Sequence, residues 1–356
     1  MDAVYEEKIR KILAAAVAAP SGDNSQPWHF AFRAPDLIEF YAMPEKDNAL
    51  LNIDESGTGI ALGAAIQNAE LEAKALGFTP EVRFGGRAPL VATLALRERG
   101  HFSESEQILE RAIPFRHTNR KAYKSAPLAS EDRQALLGAV GETDGVSFAL
   151  LEDKESMALV ARALTTMEEV ALQNKSLHKL FFESIFWSKK QNAAGEPGLY
   201  IKTLELPPPA QLLFKVLRYW PVANVLAKIG FPKVVAATNA KQNASASAFG
   251  IITIGQFDRT HYMEAGRLLE RVWLTAAARD MSLQIVTGLL FLARTVARGN
   301  SSSFSADERA LVKSAYARIQ EQMNGSNEPF LMFRIGYAEA PSAVSFRKPP
   351  VVTGTR

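Results

Sequence analysis

Ser21, Asn24 and Gln26 lie close together in the stretch Ala19-Pro20-Ser21-Gly22-Asp23-Asn24-Ser25-Gln26-Pro27-Trp28. Their side chains supply hydrogen-bond donors and acceptors without charge, a set that suits the edge of a planar heterocycle. The same residues also read as an N-cap and Asx-turn cluster. A second group, Arg116, His117, Thr118 and Arg120, alternates cations with a hydroxyl. Two planar guanidinium forks and a hydroxyl donor can hold a dianion. The other reading of this group is a solvated basic turn.

The elements around these residues follow from periodicity. Val4, Ile9, Ile12, Leu13, Ala16 and Val17 have helical spacing, and Pro20 closes that helix. Downstream, Trp28, Phe30 and Phe32 alternate with His29, Ala31 and Arg33, the period of a half-buried strand. A polar loop fixed between two packed elements is a common place for ligand contacts. Further strands are expected at Leu37–Ala42, Glu81–Phe84, 91–99, Val146–Leu151, Ala248–Gly255, Leu283–Val286 and Phe330–Tyr337. Two Ala-rich helical stretches match at equal spacing, one led by Gly63 and one by Gly266. Beyond them Val82 corresponds to Ile285 and Gly85 to Gly288. Strands interleaved with helices and an apparent repeat predict an α+β or α/β sandwich with two related halves.

Composition narrows the chemistry. The 356 residues are 47% hydrophobic and 22% charged, which suits a globular chain with a large core. Basic and acidic residues nearly balance at 41 and 38, giving no support for nucleic-acid binding. The absence of cysteine excludes disulfides, zinc-thiolate sites, iron–sulfur clusters and thiol catalysis. The five histidines show no pair at metal-ligand spacing, so no metal is expected. The acidic start Met1-Asp2-Ala3-Val4-Tyr5-Glu6-Glu7 does not read as a signal peptide, and no run has the length of a membrane span. A cytoplasmic protein is expected. Glu168 and Glu169 read as a solvated helix face.

The loop Pro20-Ser21-x-x-Asn24-x-Gln26-Pro27-Trp28 resembles the signature of the FMN-dependent nitroreductase superfamily. The resemblance implies an α+β nitroreductase-like fold. Here two pseudo-symmetric halves would be fused in one chain in place of the family homodimer, as in the single-chain Acg-like branch. The first half, residues 1–108, would carry the ring-lining loop, and the second, 109–356, the phosphate motif. By position, Pro20, Ser21, Gly22 and Asn24 would line the isoalloxazine ring, with Gln26, Pro27 and Trp28 structural. The Arg116–Tyr123 stretch resembles the family's phosphate motif, which assigns Arg116, His117, Thr118 and Arg120 to the phosphate and ribityl chain. Arg347, with Lys348 second, would return a cation to the phosphate.

At the ring's other edge the resemblance assigns Ile285, Thr287 and Gly288, the last two as catalytic through a backbone donor. Thr287 stands where relatives carry an acidic residue. Asn239 and Gln242 would face the pyrimidine. One FMN per chain is implied, formed across the pseudo-dyad. Residues 183–237 fit no part of the compact fold; the resemblance reads them as a lid, with Phe214, Leu217, Tyr219 and Trp220 covering the ring. The competing reading is a membrane-surface amphipathic helix, because Lys215, Arg218 and Lys228 flank large apolar groups. The implied activity is NAD(P)H-dependent reduction of nitroaromatic, quinone or similar electron-poor acceptors. The alternative is an FMN storage protein with little turnover. Either would act as a monomer or homodimer.

Overall fold

The computed structural model describes residues 3–33, 35–98, 101–141, 145–299, 303–323, 328–350 and 352–355. The chain opens with α1 (Ala3–Val17), β1 (Trp28–Arg33), β2 (Leu37–Ala42), α2 (Ser56–Ala75), β3 (Phe78–Phe84) and β4 (Leu90–Glu98), then α3 (Glu104–Ala112). It continues through α4 (Ser130–Gly138), β5 (Val146–Leu151), α5 (Lys154–Leu164), α6 (Thr166–Gln173) and α7 (Lys175–Glu183). Next come β6 (Ile185–Phe186), α8 (Lys189–Ala193), β7 (Leu199–Tyr200), α9 (Pro208–Leu217), α10 (Trp220–Lys228) and α11 (Phe231–Ala244). The last part holds β8 (Ala248–Ile254), α12 (Arg259–Ala278), β9 (Ser282–Ile285), α13 (Gly288–Ala297), α14 (Ala306–Glu321), β10 (Pro329–Gly336) and β11 (Val352–Thr355).

The two main sheets have the same plan. In the first, the strands lie in the order β1-β2-β4-β3, each pair antiparallel. In the second the order is β5-β8-β10-β9, again antiparallel throughout. Each sheet sends a 20-residue helix from its second strand in sequence, α2 in one case and α12 in the other. These two helices pack along each other. The chain then returns: β11 adds in parallel to β1, with Phe30 opposite Val352, so the C-terminal segment closes the first sheet.

The burial patterns follow from position. β3 alternates between covered and open residues, as a strand with one wet face does. β8 and β10 are buried along their whole length, which is why Ala-Phe-Gly-Ile-Ile-Thr-Ile reads as a continuous apolar run instead of an alternation. Arg334 is the one cation in β10 and is fully buried. Its guanidinium donates to Gln284 Oε1 (2.7 Å), the Gln242 carbonyl (2.9 Å) and the Lys121 carbonyl (2.8 Å), and lies over the Tyr123 ring. Burying that charge is tolerable because its donors are partnered and an aromatic face covers it.

One expectation fails here. Glu168 does not lie on a solvated face: α6 is packed on by α7, α10, α11, α13 and α14, and its Oε2 is buried without a partner. Burial pushes this carboxyl up to about 7. The apolar, basic stretch around Leu212–Trp220 is two helices, with α9 ending at Leu217 and α10 starting at Trp220. Proline sits in the first turn of α9, α10 and α11 alike, where its missing N–H costs nothing.

Candidate active site

The loop after α1 is held in a strained shape. Asp23, Asn24 and Gln26 all have φ between 46° and 57°, a region non-glycine residues occupy at some cost. Several bonds enforce it. Ser21 Oγ accepts from the Gln26 amide (3.0 Å), and the Trp28 amide donates back to the Gln26 carbonyl (2.9 Å). The hydroxyls of Ser25 and Thr58 both donate to the Asp47 carboxylate, tying the loop to the start of α2.

A cavity of about 280 Å³ opens beside this loop. Pro20, Ser21, Gly22, Asp23 and Asn24 line one side. His117, Thr118 and Arg120 enter from the segment before α4, and Ile285, Thr287 and Gly288 from the turn between β9 and α13. Arg347 reaches in from the C-terminal segment, and Trp273 and Leu269 of α12 supply apolar wall. The cavity therefore collects residues that lie far apart in sequence. Because Gly288 starts α13, the cavity also meets the amide end of a ten-residue helix, where N–H groups lack intrahelical acceptors.

One end gathers Arg347 and His117, with the Arg116–Glu270 pair behind them. Arg347 donates through Nη1 to the Ser345 carbonyl (2.8 Å), while its Nε is buried with no partner. Burial, reinforced by Arg116, brings Arg347 down to about 9. His117 is brought down to about 4 by burial first and then by Arg116 and Arg347, so its imidazole is neutral at pH 7. Arg120 donates to the Thr203 carbonyl (3.1 Å) and faces Asp23, whose carboxyl burial pushes upward against that attraction. A dianion placed here would meet an unsatisfied donor and relieve cation–cation repulsion.

Four of the expected contacts lie elsewhere. Arg116 is 2% exposed and points into the protein: Nη2 donates to the Ala18 carbonyl (2.8 Å), Nε lies 3.1 Å from Glu270, and the group covers Trp273. It acts on the cavity from behind Trp273, not as a wall. Gln242 uses its amide on the Arg120 carbonyl and its own carbonyl on Arg334, fixing the segment that carries Arg120. Asn239, on α11, is absent from the cavity wall. Lys348 pairs with Glu196 at 3.0 Å, while its amide donates to Gln26 Oε1.

Two further assignments change in detail. Asn24 lines the cavity, yet its amide donates to the Phe346 carbonyl (3.1 Å), and its Oδ1 is buried without a partner. Gln26 likewise donates to the Gly195 carbonyl (3.0 Å). The loop therefore clamps residues 195–198 and 346–348. The Thr287 hydroxyl donates to the Met332 carbonyl (2.9 Å) and accepts from its amide (3.0 Å), so it is not offered to the cavity. Of residues 183–237, Leu199 and Thr203 reach the cavity. Phe214, Leu217, Tyr219 and Trp220 do not; Phe214 packs on Phe181 and Phe182 instead.

Asp23, Asp47, Asn48, Asn52 and Trp273 are wall residues that sequence reasoning missed. Asp23 had a signal, lying inside the loop between two residues already singled out. Trp273 had none, since on α12 it looks like any apolar core position.

No family model matches the chain. An uncharacterized protein of Mycobacterium tuberculosis is 24% identical over 343 residues, covering 94% of this chain and 46% of its own length. The chain thus spans about half of that relative. A second protein of Mycobacterium tuberculosis, named "Putative NAD(P)H nitroreductase", is 27% identical over 296 residues, 81% of this chain and 78% of its own. Among solved structures, an FMN-bound nitroreductase from Bacteroides fragilis aligns over 67% of this chain and 91% of its own, at 12% identity and a TM-score of 0.33. An FMN-dependent nitroreductase from Mycobacterium smegmatis, solved with NADPH, aligns over 65% and 88% at 13% identity and a TM-score of 0.35. A relative that carries a nitroreductase name thus aligns with about four-fifths of this chain.

Proposed function

We propose that this chain is an FMN-dependent NAD(P)H oxidoreductase of the nitroreductase type, binding one FMN in the cavity between Pro20–Asn24 and Ile285–Gly288. The observation that carries this reading is Arg347: a half-buried side chain whose Nε is buried and unpartnered, at the end of a cavity whose other wall is the Pro20–Asn24 loop. The orphan donor and the repulsion from Arg116 fit a phosphate dianion. The relative named as a nitroreductase supports the activity.

In this reading Arg347, Thr118 and Arg120 hold the phosphate and ribityl chain, and neutral His117 accepts or donates one hydrogen bond beside them. Pro20, Ser21 and Gly22 bound the ring. Amide groups at the start of α13, around Thr287 and Gly288, are the donors offered to its reacting edge. Trp273, Leu269 and Phe291 exclude water from the interior side. When bound, FMN supplies the two-electron chemistry that links NAD(P)H to an electron-poor acceptor such as a nitroarene or quinone.

The matching strand orders and paired helices support two fused halves that meet at the α2–α12 contact, with a boundary near residues 100–115. The phosphate residues come from one half and the ring loop from the other.

A second reading is FMN storage. It is favoured by Asn24 and Gln26, which bind the loop to residues 195–198 and 346–348 and so restrict entry to the cavity. Anaerobic addition of NADPH to the flavin-loaded protein separates the two. Bleaching of the flavin bands, followed by recovery on adding menadione or a nitroarene, supports the reductase. Bound flavin that NADPH does not bleach supports storage.

A further inference from the structure

Residues 206–241 have a surface unlike the rest of the chain. Of fourteen large apolar side chains that stand exposed among the described residues, seven lie in this short stretch. Leu212 is 66% exposed and Ile229 74%, with Val216, Tyr219 and Val225 between them. The same stretch carries Lys215, Arg218, Lys228, Lys233 and Lys241 and no Asp or Glu. The chain as a whole has 41 basic and 38 acidic residues, so outside this stretch the acids outnumber the bases.

The exposed groups are not waiting for a place in the core. The inward sides of these helices are already used. Phe214 packs on Phe182 at 4.9 Å, Leu217 is buried, and its carbonyl accepts from His178 Nε2 at 2.8 Å. Trp220 meets the His178 ring edge-on at 5.2 Å. α10 packs on both α9 and α11, which keeps the three helices together. The large side chains that remain outside are mostly aliphatic and cationic, with Tyr219 among them.

We propose that α9, α10 and the start of α11 form a docking surface for an anionic phospholipid bilayer. Leu212, Val216 and Ile229 enter the boundary between headgroups and acyl chains, and the lysines and Arg218 lie along it with their charges at the phosphates. The segment lies on the membrane, for no helix among the described residues is long and apolar enough to cross one. The composition favours lipid over other occupants. Protein interfaces are depleted in Lys, whereas four of the five cations here are Lys. A second copy would oppose two like-charged faces.

Co-flotation with vesicles tests this on the full chain. Phosphatidylcholine vesicles with added phosphatidylglycerol should carry the wild-type protein at low salt. Pure phosphatidylcholine vesicles should carry at least tenfold less, and high salt should release it. Each basic residue at such a surface is worth about fivefold in partitioning, so a K215E/R218E/K228E variant should lose flotation. An L212S/V216S/I229S variant should lose at least tenfold while keeping its circular dichroism and melting temperature, since these positions are exposed. Absence of flotation on anionic vesicles overturns the proposal. So does undiminished flotation of both variants, which would place the contact elsewhere. Self-association that both variants abolish, without vesicle binding, would assign the surface to a second copy.

Discussion

Gly63 and Gly266 occupy reciprocal positions where α2 and α12 touch. A β-carbon on Gly63 would lie 1.9 Å from the Met263 carbonyl oxygen, and one on Gly266 would lie 2.1 Å from the Ile60 carbonyl oxygen. Ile60 and Met263 are separated in sequence by the same interval as the two glycines. The contact is therefore isologous, like that between identical subunits, but lies within one chain.

Backbone cannot move aside as a side chain can, so Gly63→Ala and Gly266→Ala should each destabilise the protein by about 3 kcal/mol or more. Gly138→Ala is the contrast, because nothing lies within 4 Å of its β-carbon position. It should be neutral or stabilise by up to about 1 kcal/mol. Urea denaturation of the three variants checks this.

Stability should fall as pH rises, in part because of Glu168. Its carboxyl is raised from 4.5 to about 7 by burial, so the folded state holds a proton that the unfolded state has released. That contribution is fully present below pH 4.5 and is lost as pH climbs through 7, at a cost on the order of 3 kcal/mol. Glu168→Gln cannot ionise and should make the decline in melting temperature between pH 5 and 8 shallower, the remainder belonging to Glu270, which burial also raises to about 7. A variant with the wild-type pH profile would remove Glu168 as its source.

Thr287 should prove a structural side chain. Its hydroxyl makes both of its bonds to Met332, so Thr287→Val should cost about 1–3 kcal/mol in denaturation. Thr287→Ser keeps the hydroxyl and should preserve both stability and flavin reduction by NADPH. A large loss of reduction in the serine variant, with stability intact, would give the methyl group a role at the site.

Much of this architecture was legible in the sequence, and the reasons are local. The alternation of Trp28, Phe30 and Phe32, and the matched spacing around Gly63 and Gly266, arise from strand and helix periods that the structure keeps. The dense loop after Pro20 announced itself through turn formers and small polar groups. What sequence could not separate was a cation facing a cavity from one facing inward. Arg116 and Arg120 look alike in sequence, and only the packing of Glu270 and Trp273 directs Arg116 away. Gln242 and Lys348 were placed near the right segments, but their groups are taken by the Arg120 carbonyl and Glu196. Glu168 next to Glu169 reads as a wet helix face, and only the tertiary packing of α6 shows that the Glu168 carboxyl oxygen Oε2 is shut off from water.

The central claim is a single flavin site anchored by Arg347, and titration of the flavin-free protein with FMN, followed by quenching of flavin fluorescence, tests it most directly. Wild type should saturate at one FMN per chain. Arg347→Gln, which removes a charge-assisted contact, should bind at least about tenfold more weakly while melting as wild type does. Failure of the wild-type protein to bind FMN, or wild-type affinity in the Arg347→Gln variant, would contradict the account.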